Sequence, residues 1–379
     1  MQPDPQRQAA DPVAAAEGDH RGAAEGDATA ALAERLFRDA VAALELYTVY
    51  LGERLGLYRA LASAGWLTSA ALAERTGTAE RYVREWLEHQ ATSGLLLVDD
   101  PAAAPPARRY RLPPEHRAVL ADPDDLAYGA YRGVDIVRAA RPLPQLVEAF
   151  RSGGAPPPLP WEPEGRAESN RAVFLQQLGR QWLPAIVEVD RRLRAEPPAR
   201  VADVGCGTGW STIAMAQAYP RISVDGFDLD QAAIEAARDH AERAGVADRV
   251  RFVVADASDP GTAGRYDLVT IFEALHDLAR PVEALRAARG MLRDGGVVLV
   301  ADERVEDEFT APGPERERYV YGWSVVACLP GAMDDPLTAA TGAVLRRATL
   351  GRYVAAAGFR AVEVLPIHSD DWRFYRLRP

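Results

Sequence analysis

Short apolar, β-branched runs alternate with amphipathic stretches of helical period through the second half of this chain. Val201-Ala-Asp-Val204, Arg221–Phe227, Val250–Val254, Tyr266–Phe272 and Val297–Ala301 read as strands, with helices at Trp210–Ala218 and Pro281–Leu292. Strand and helix in alternation predict a mostly parallel sheet covered by helices, a Rossmann-like α/β domain. The first half has a different rhythm. Ala30–Tyr50 places Leu32, Leu36, Phe37, Val41, Leu44 and Tyr47 at helical spacing, and the short segment LGLYRALASAG follows. A helix begun by Thr68, a second begun by Thr78, and the strand-like LLLVDD and RRYRL around a Pro/Ala loop describe a winged helix.

These patterns divide the chain into four segments. Residues 1–28 are rich in Ala, Asp, Glu, Gly and Pro with almost no large apolar side chains, and are expected to be disordered. Residues 29–122 form the winged-helix domain, suited to dimerisation through the apolar Leu32–Tyr50 stripe. Residues 123–196 read as a helical connector, interrupted by the breaker-rich loop 153–165, which is a linker or a lid over the substrate and exposes Trp161. Residues 197–379 form the Rossmann-like domain.

Chemistry concentrates at the strand tips. Val201-Ala-Asp-Val-Gly-Cys-Gly-Thr-Gly209 runs a strand straight into a turn with Gly205, Gly207 and Gly209 at alternate positions, where the backbone bends sharply and a ligand approaches closely. The spacing is G-x-G-x-G, not the G-x-G-x-x-G of dinucleotide binders, so a smaller anion such as an amino-acid carboxylate suits it better than a pyrophosphate. About 20 residues on, the second strand ends in Asp228, where a doubly wound fold sets an acid against ribose hydroxyls. The third ends in Asp256, the fourth in Glu273, His276 and Asp277, and the fifth in Asp302 and Glu303. Open α/β sheets bind ligands along this edge.

VADVGCGTG, VDGFDLD, VVADASD and YDLVTIFEALHDL together resemble the sequence motifs of class I S-adenosylmethionine-dependent methyltransferases, over roughly Arg200–Pro379. The resemblance implies two more strands, in Gly358–Leu365 and Trp372–Leu377, completing a seven-stranded sheet. It implies S-adenosyl-L-methionine as cofactor, S-adenosyl-L-homocysteine as product, and a cofactor site of Asp203, Gly205, Gly207, Gly209, Asp228, Leu229, Asp256, Ala257 and Phe272. YGWSVVACLPGAM, AATGAVLR and VLPIHSDDWRFYRL are similar to an actinobacterial group of small-molecule methyltransferases with a winged-helix front domain, which commonly builds the dimer.

Composition narrows the partners. No apolar run reaches the roughly 18 residues of a membrane span, and no basic-then-apolar leader opens the chain, so a cytoplasmic enzyme is expected. Cys206 and Cys328 offer neither a disulfide framework nor metal-ligand spacing, and no metal is expected. The chain has no lysine, which excludes a lysine Schiff base. Its net charge of -11 argues against a phosphate-backbone partner. The second helix of the winged pair carries Arg81 and Arg84 against Glu80, Glu85 and Glu88, whereas DNA-reading helices are usually basic; Tyr82, Val83, Trp86 and Leu87 are read as its packing face.

Methyl transfer asks a protein chiefly for alignment, since the sulfonium is already activated. A hydroxyl acceptor must also lose a proton, and His276 is the candidate general base. His276-Asp277 resembles the His-Asp of O-methyltransferases, although Leu278 stands where tryptophan is usual. Glu273 and Asp277 either orient that imidazole, contact the acceptor, or cap the following helix. Glu303 orients the histidine or binds a polar substrate group. Trp182, Tyr319, Trp323 and Leu329 are read as walls of an apolar acceptor pocket, a pattern a packed helix would share, and they favour an aromatic or polycyclic metabolite. The leading expectation is O-methylation of such a small molecule in secondary metabolism. C- or N-methylation by alignment, a non-methylating rearrangement on the same cofactor, and a regulator sensing S-adenosylmethionine stay open.

Overall fold

In a computed structural model of the chain, residues 12–157, 169–256, 258 and 265–379 are described, with side chains from residue 27 onward. The chain divides into two compact units, Met1–Pro114 and Glu115–Pro379. No helix among the described residues is long and apolar enough to cross a membrane.

The first unit opens on α1 (Pro12–Arg54), followed by α2 (Leu57–Ala64), β1 (Leu67–Thr68), α3 (Ser69–Thr76), α4 (Glu80–Thr92), β2 (Leu97–Val98) and β3 (Arg109–Arg111). The three short strands form an antiparallel wing in the order β1-β3-β2. α1 begins well inside the segment expected to be disordered: residues 12–28 are short of apolar side chains yet rich in alanine, the strongest helix former. Residues 1–11 lie outside the described residues. Thr68 caps α3 as expected, its hydroxyl accepting from the Ala71 N–H at 3.3 Å. α4 is capped by Ala79, and the Thr78 hydroxyl pairs instead with that of Thr76 at 2.8 Å. Val83, Trp86 and Leu87 are buried, whereas Tyr82 is 82% exposed and takes no part in the packing face. Trp86 packs edge-on against Tyr58 at 5.1 Å and donates to the Thr48 carbonyl at 2.8 Å, tying α4 to α2 and α1.

In the second unit, β4 (Arg200–Val204), β5 (Ser223–Asp228), β6 (Val250–Val254), β7 (Tyr266–Phe272), β8 (Leu292–Glu303), β9 (Ala361–Val364) and β10 (Trp372–Arg378) form one sheet. Its order is β6-β5-β4-β7-β8-β10-β9, with β4 to β8 parallel and β10 antiparallel to both its neighbours. The order reverses at β4, so the crevice between the carboxyl ends of β4 and β7 is the topological switch point where such sheets bind ligands. One face carries Val201, Val224, Leu268 and Phe272 against Phe174, Leu178, Ile213 and Ile234. The other carries Ala202, Val269 and Val300 against Leu285, Ala288 and Leu350. Sequence-adjacent β residues point to opposite faces, and burying both faces makes these strands near-continuous apolar runs.

Candidate active site

The turn after β4 is built by glycines the geometry requires. Gly205, Gly207 and Gly209 have φ of 72°, 51° and 84°, in the left-handed region. A Cβ on Gly205 would stand 2.5 Å from that of Ala274, and one on Gly209 would press 2.8–2.9 Å against Phe252 and Ala237. A Cβ on Gly207 would meet nothing within 4 Å, so this peptide borders open space. The Gly207 N–H donates to Asp228 Oδ2 at 2.8 Å and the Asp230 N–H to Oδ1 at 3.0 Å, so the acid at the β5 tip also holds the loop. Burial raises the Asp228 carboxyl's pKa against the pull of these backbone donors.

Asp203, expected at the cofactor, is 1% exposed beneath the loop. The hydroxyls of Ser211 and Thr212 donate to its Oδ2 at 2.6 Å each, and that of Thr270 to Oδ1 at 2.7 Å. Burial lifts its pKa more than these donors lower it. It therefore braces β4, β7 and the helix Trp210–Ala218. Leu229 is 72% exposed beside Asp228. Asp256 is exposed, accepts from Ser258 Oγ at 2.7 Å and pairs with Arg280 at 2.9 Å; these contacts, Ser258 foremost, lower its pKa. Phe272 is buried and stacks on Phe174 at 6.2 Å. Ala257 lies outside the described residues, as does Trp161 with most of the loop expected to be linker or lid.

Beyond the loop, the 3-10 turn Leu275–Asp277 carries His276 at 1% exposure. Its Nδ1 is 2.7 Å from Asp302 Oδ1, its backbone N–H donates to Asp302 Oδ2 at 3.3 Å, and its Nε2 is 3.2 Å from Asp277 Oδ1. Burial alone would depress the ring's pKa, but the two carboxylates outweigh it and hold the imidazole well above its ordinary value. Asp302 was visible at its strand tip without an assigned role; the partnership with His276 exists only once β7 and β8 lie side by side.

Glu273 has φ 53°, unusual for a side-chain-bearing residue, and its N–H donates to the Ala301 carbonyl at 2.8 Å. Beside it, burial raises the pKa of the Glu303 carboxyl against the opposing Arg316. Arg316 reaches Glu303 at 2.6 Å and also holds Asp371. Tyr319 accepts from Arg132 at 3.1 Å and meets Trp323 edge-on at 6.1 Å. Trp323 and Leu329 are half-buried. Trp182, expected in the acceptor pocket, is instead a core residue, 2% exposed and packed on Trp372 and Phe374 at 5.2 and 4.9 Å. The helix bearing it is π-helical over Phe174–Trp182, as is Ser324–Cys328, and this winding sets which side chains turn inward.

Residues 196–338 match the family described as "Methyltransferase domain", and residues 42–122 the "Rv2258c-like winged HTH domain". Among curated proteins, the ubiquinone biosynthesis O-methyltransferase of Bordetella avium (strain 197N) is 34% identical over 139 residues, 37% of this chain and 54% of the relative. The 27-O-demethylrifamycin SV methyltransferase of Amycolatopsis mediterranei (strain S699) is 36% identical over 104 residues, 27% of this chain and 38% of the relative. The chain thus spans about half or less of the curated relatives it matches. Human N-acetylserotonin methyltransferase, solved in complex with SAM, shares the fold at a TM-score of 0.67 and 19% identity, with 91% of this chain and 97% of that one covered. The chain thus carries a stretch matching a methyltransferase domain, preceded by one matching an Rv2258c-like winged helix-turn-helix domain.

Proposed function

We propose that this chain is an S-adenosylmethionine-dependent methyltransferase that methylates a hydroxyl of a small aromatic or polycyclic metabolite. The observation that carries this reading is the juxtaposition of two devices at one sheet edge: the glycine loop clasped to Asp228, and the Asp302–His276 dyad one strand away. The open space outside Gly207 and the exposed Leu229 fit a cofactor lying across the β4 and β5 tips, with the Asp228 carboxylate toward its ribose. When bound there, S-adenosylmethionine supplies the activated methyl group and leaves as S-adenosylhomocysteine.

The chain's own work is alignment and proton transfer. Asp302 keeps the proton on Nδ1, which leaves Nε2 of the neutral ring to take the proton of an acceptor hydroxyl placed where Asp277 Oδ1 now stands. Asp302 then steadies the imidazolium. Glu303 and Arg316 form the polar end of the acceptor site, and Tyr319, Trp323 and Leu329 its flat wall. The relatives support oxygen as the acceptor atom, since one is by name a ubiquinone biosynthesis O-methyltransferase and another a 27-O-demethylrifamycin SV methyltransferase. We place the activity in a homodimer built through α1, whose Leu32, Leu36, Phe37 and Leu44 are exposed. A panel of catechols, hydroxyquinones and hydroxynaphthalenes, assayed with methyl-labelled cofactor, tests the reading. Label recovered as a methyl ether supports it, and label recovered on carbon or nitrogen moves the reaction to another acceptor atom.

A further inference from the structure

The turn that carries His276 is also approached by a cysteine. His276, Asp277 and Cys328 each offer one ligand atom, and these atoms lie within 4.8 Å of one another. They come from elements far apart in sequence, the 3-10 turn Leu275–Asp277 and the π-helical segment Ser324–Cys328. π-helical turns are rare and gather at functional sites.

The geometry has three features of a metal centre. His276 Nε2 and Asp277 Oδ1 are 3.2 Å apart; two ligands about 2.0–2.1 Å from a tetrahedral zinc stand about 3.3 Å from each other. Asp302 backs the other ring nitrogen at 2.7 Å, the carboxylate–histidine arrangement that orients metal-bound imidazoles. His276 and Cys328 are 1% and 7% exposed, while the Asp277 side chain, 30% exposed, opens the cluster to entering ions. Imidazole, carboxylate and thiolate together select borderline-soft ions, and three protein ligands leave a fourth position open.

We propose that His276, Asp277 and Cys328 bind a thiophilic divalent ion of the zinc class, oriented by Asp302, and that its occupancy silences methyl transfer. Binding expels the protons of Nε2 and of the Cys328 thiol to solvent, while the Nδ1 proton stays with Asp302. The ion then holds the lone pair that would take the acceptor's proton. The silencing half rests on the function proposed above; the binding half does not.

The test uses the full chain, stripped with a chelator and titrated with Co²⁺, then Zn²⁺. The expected result is one ion per chain, with tetrahedral cobalt absorption in the red and a near-ultraviolet thiolate-to-cobalt band, both erased by one equivalent of Zn²⁺. Cys328→Ser should abolish the thiolate band, whereas Cys206→Ser, at the chain's other cysteine, should keep it. Asp302→Asn should weaken binding by about 10–100-fold. Matched circular dichroism and melting curves establish that each variant is folded. A cobalt spectrum without the thiolate band, or one unchanged in both Cys328→Ser and His276→Asn, overturns the site. Zn²⁺ should inhibit turnover of the wild-type enzyme, reversibly with chelator, and inhibit Cys328→Ser far less; equal inhibition of both overturns the silencing. The cobalt titration needs no acceptor, so the site is decided even if no methyl transfer is found.

Discussion

His276 concentrates the account at the scale of single residues. Its ring sits between Asp302 and Asp277, and because their charges outweigh burial its pKa is raised. The sign of the pH dependence follows. A base must be neutral to act, so the rate should climb with pH and level off only above the ordinary histidine range. Asp302→Asn removes one supporting charge and should shift that rise to lower pH, while His276→Ala should lower turnover by about 10²–10⁴-fold with cofactor affinity nearly unchanged. A flat profile through the alkaline limb would place proton removal elsewhere. Asp203 makes a stability prediction instead. Asp203→Ala strands the buried hydroxyls of Ser211 and Thr212 and leaves that of Thr270 only the Ala202 carbonyl at 3.3 Å, and should cost about 3 kcal/mol, read as a shift in denaturant midpoint at constant m-value. A loss under about 1 kcal/mol would mean the hydroxyls find other partners. Asp203 was legible as a motif residue, but its role as a brace was not, because its partner Thr270 lies a strand away in space and 67 residues away in sequence.

Among the elements, the parallel strands were legible because burial on both faces leaves little but β-branched and apolar side chains in each run. β6 and β7 fall where the pattern put them, and β8 extends beyond it, from Leu292 to Glu303, because Leu292 pairs with Tyr266 across a register shift and the polar Asp302 and Glu303 pair with β10. The π-helical windings were not legible: an amphipathic stretch such as Asn170–Leu183 has the same apolar spacing whichever way the backbone winds locally, and this left Trp182 assigned to a pocket when it faces the core. α1 was half legible. Its apolar stripe marked the helix from residue 30 onward, while the alanine-rich start lacked the apolar side chains by which a helix is noticed. That stripe carries its own prediction: Phe37 is 70% exposed and Leu44 59%, a poor arrangement for an isolated helix in water. Phe37→Asp with Leu44→Asp should convert a dimer to a monomer by light scattering at micromolar concentration. A wild-type monomer would contradict the proposed assembly.

For the whole molecule, one acidic chain joins a winged-helix unit to a sheet whose ligand-binding edge holds all the chemistry discussed. The acidic character of α4 and the net charge of -11 set it apart from proteins that draw affinity from DNA phosphates. Everything proposed for the acceptor side depends on the cofactor edge being what its loop suggests. Calorimetric titration of the protein with S-adenosylmethionine, alongside Asp228→Ala, therefore tests the central claim most directly. The account predicts one site per chain in the wild-type protein, no competing preference for NAD, and clearly weaker binding in a variant that stays folded. Equal affinity in Asp228→Ala would remove the ribose assignment, and tighter binding of NAD than of S-adenosylmethionine would contradict the account as a whole.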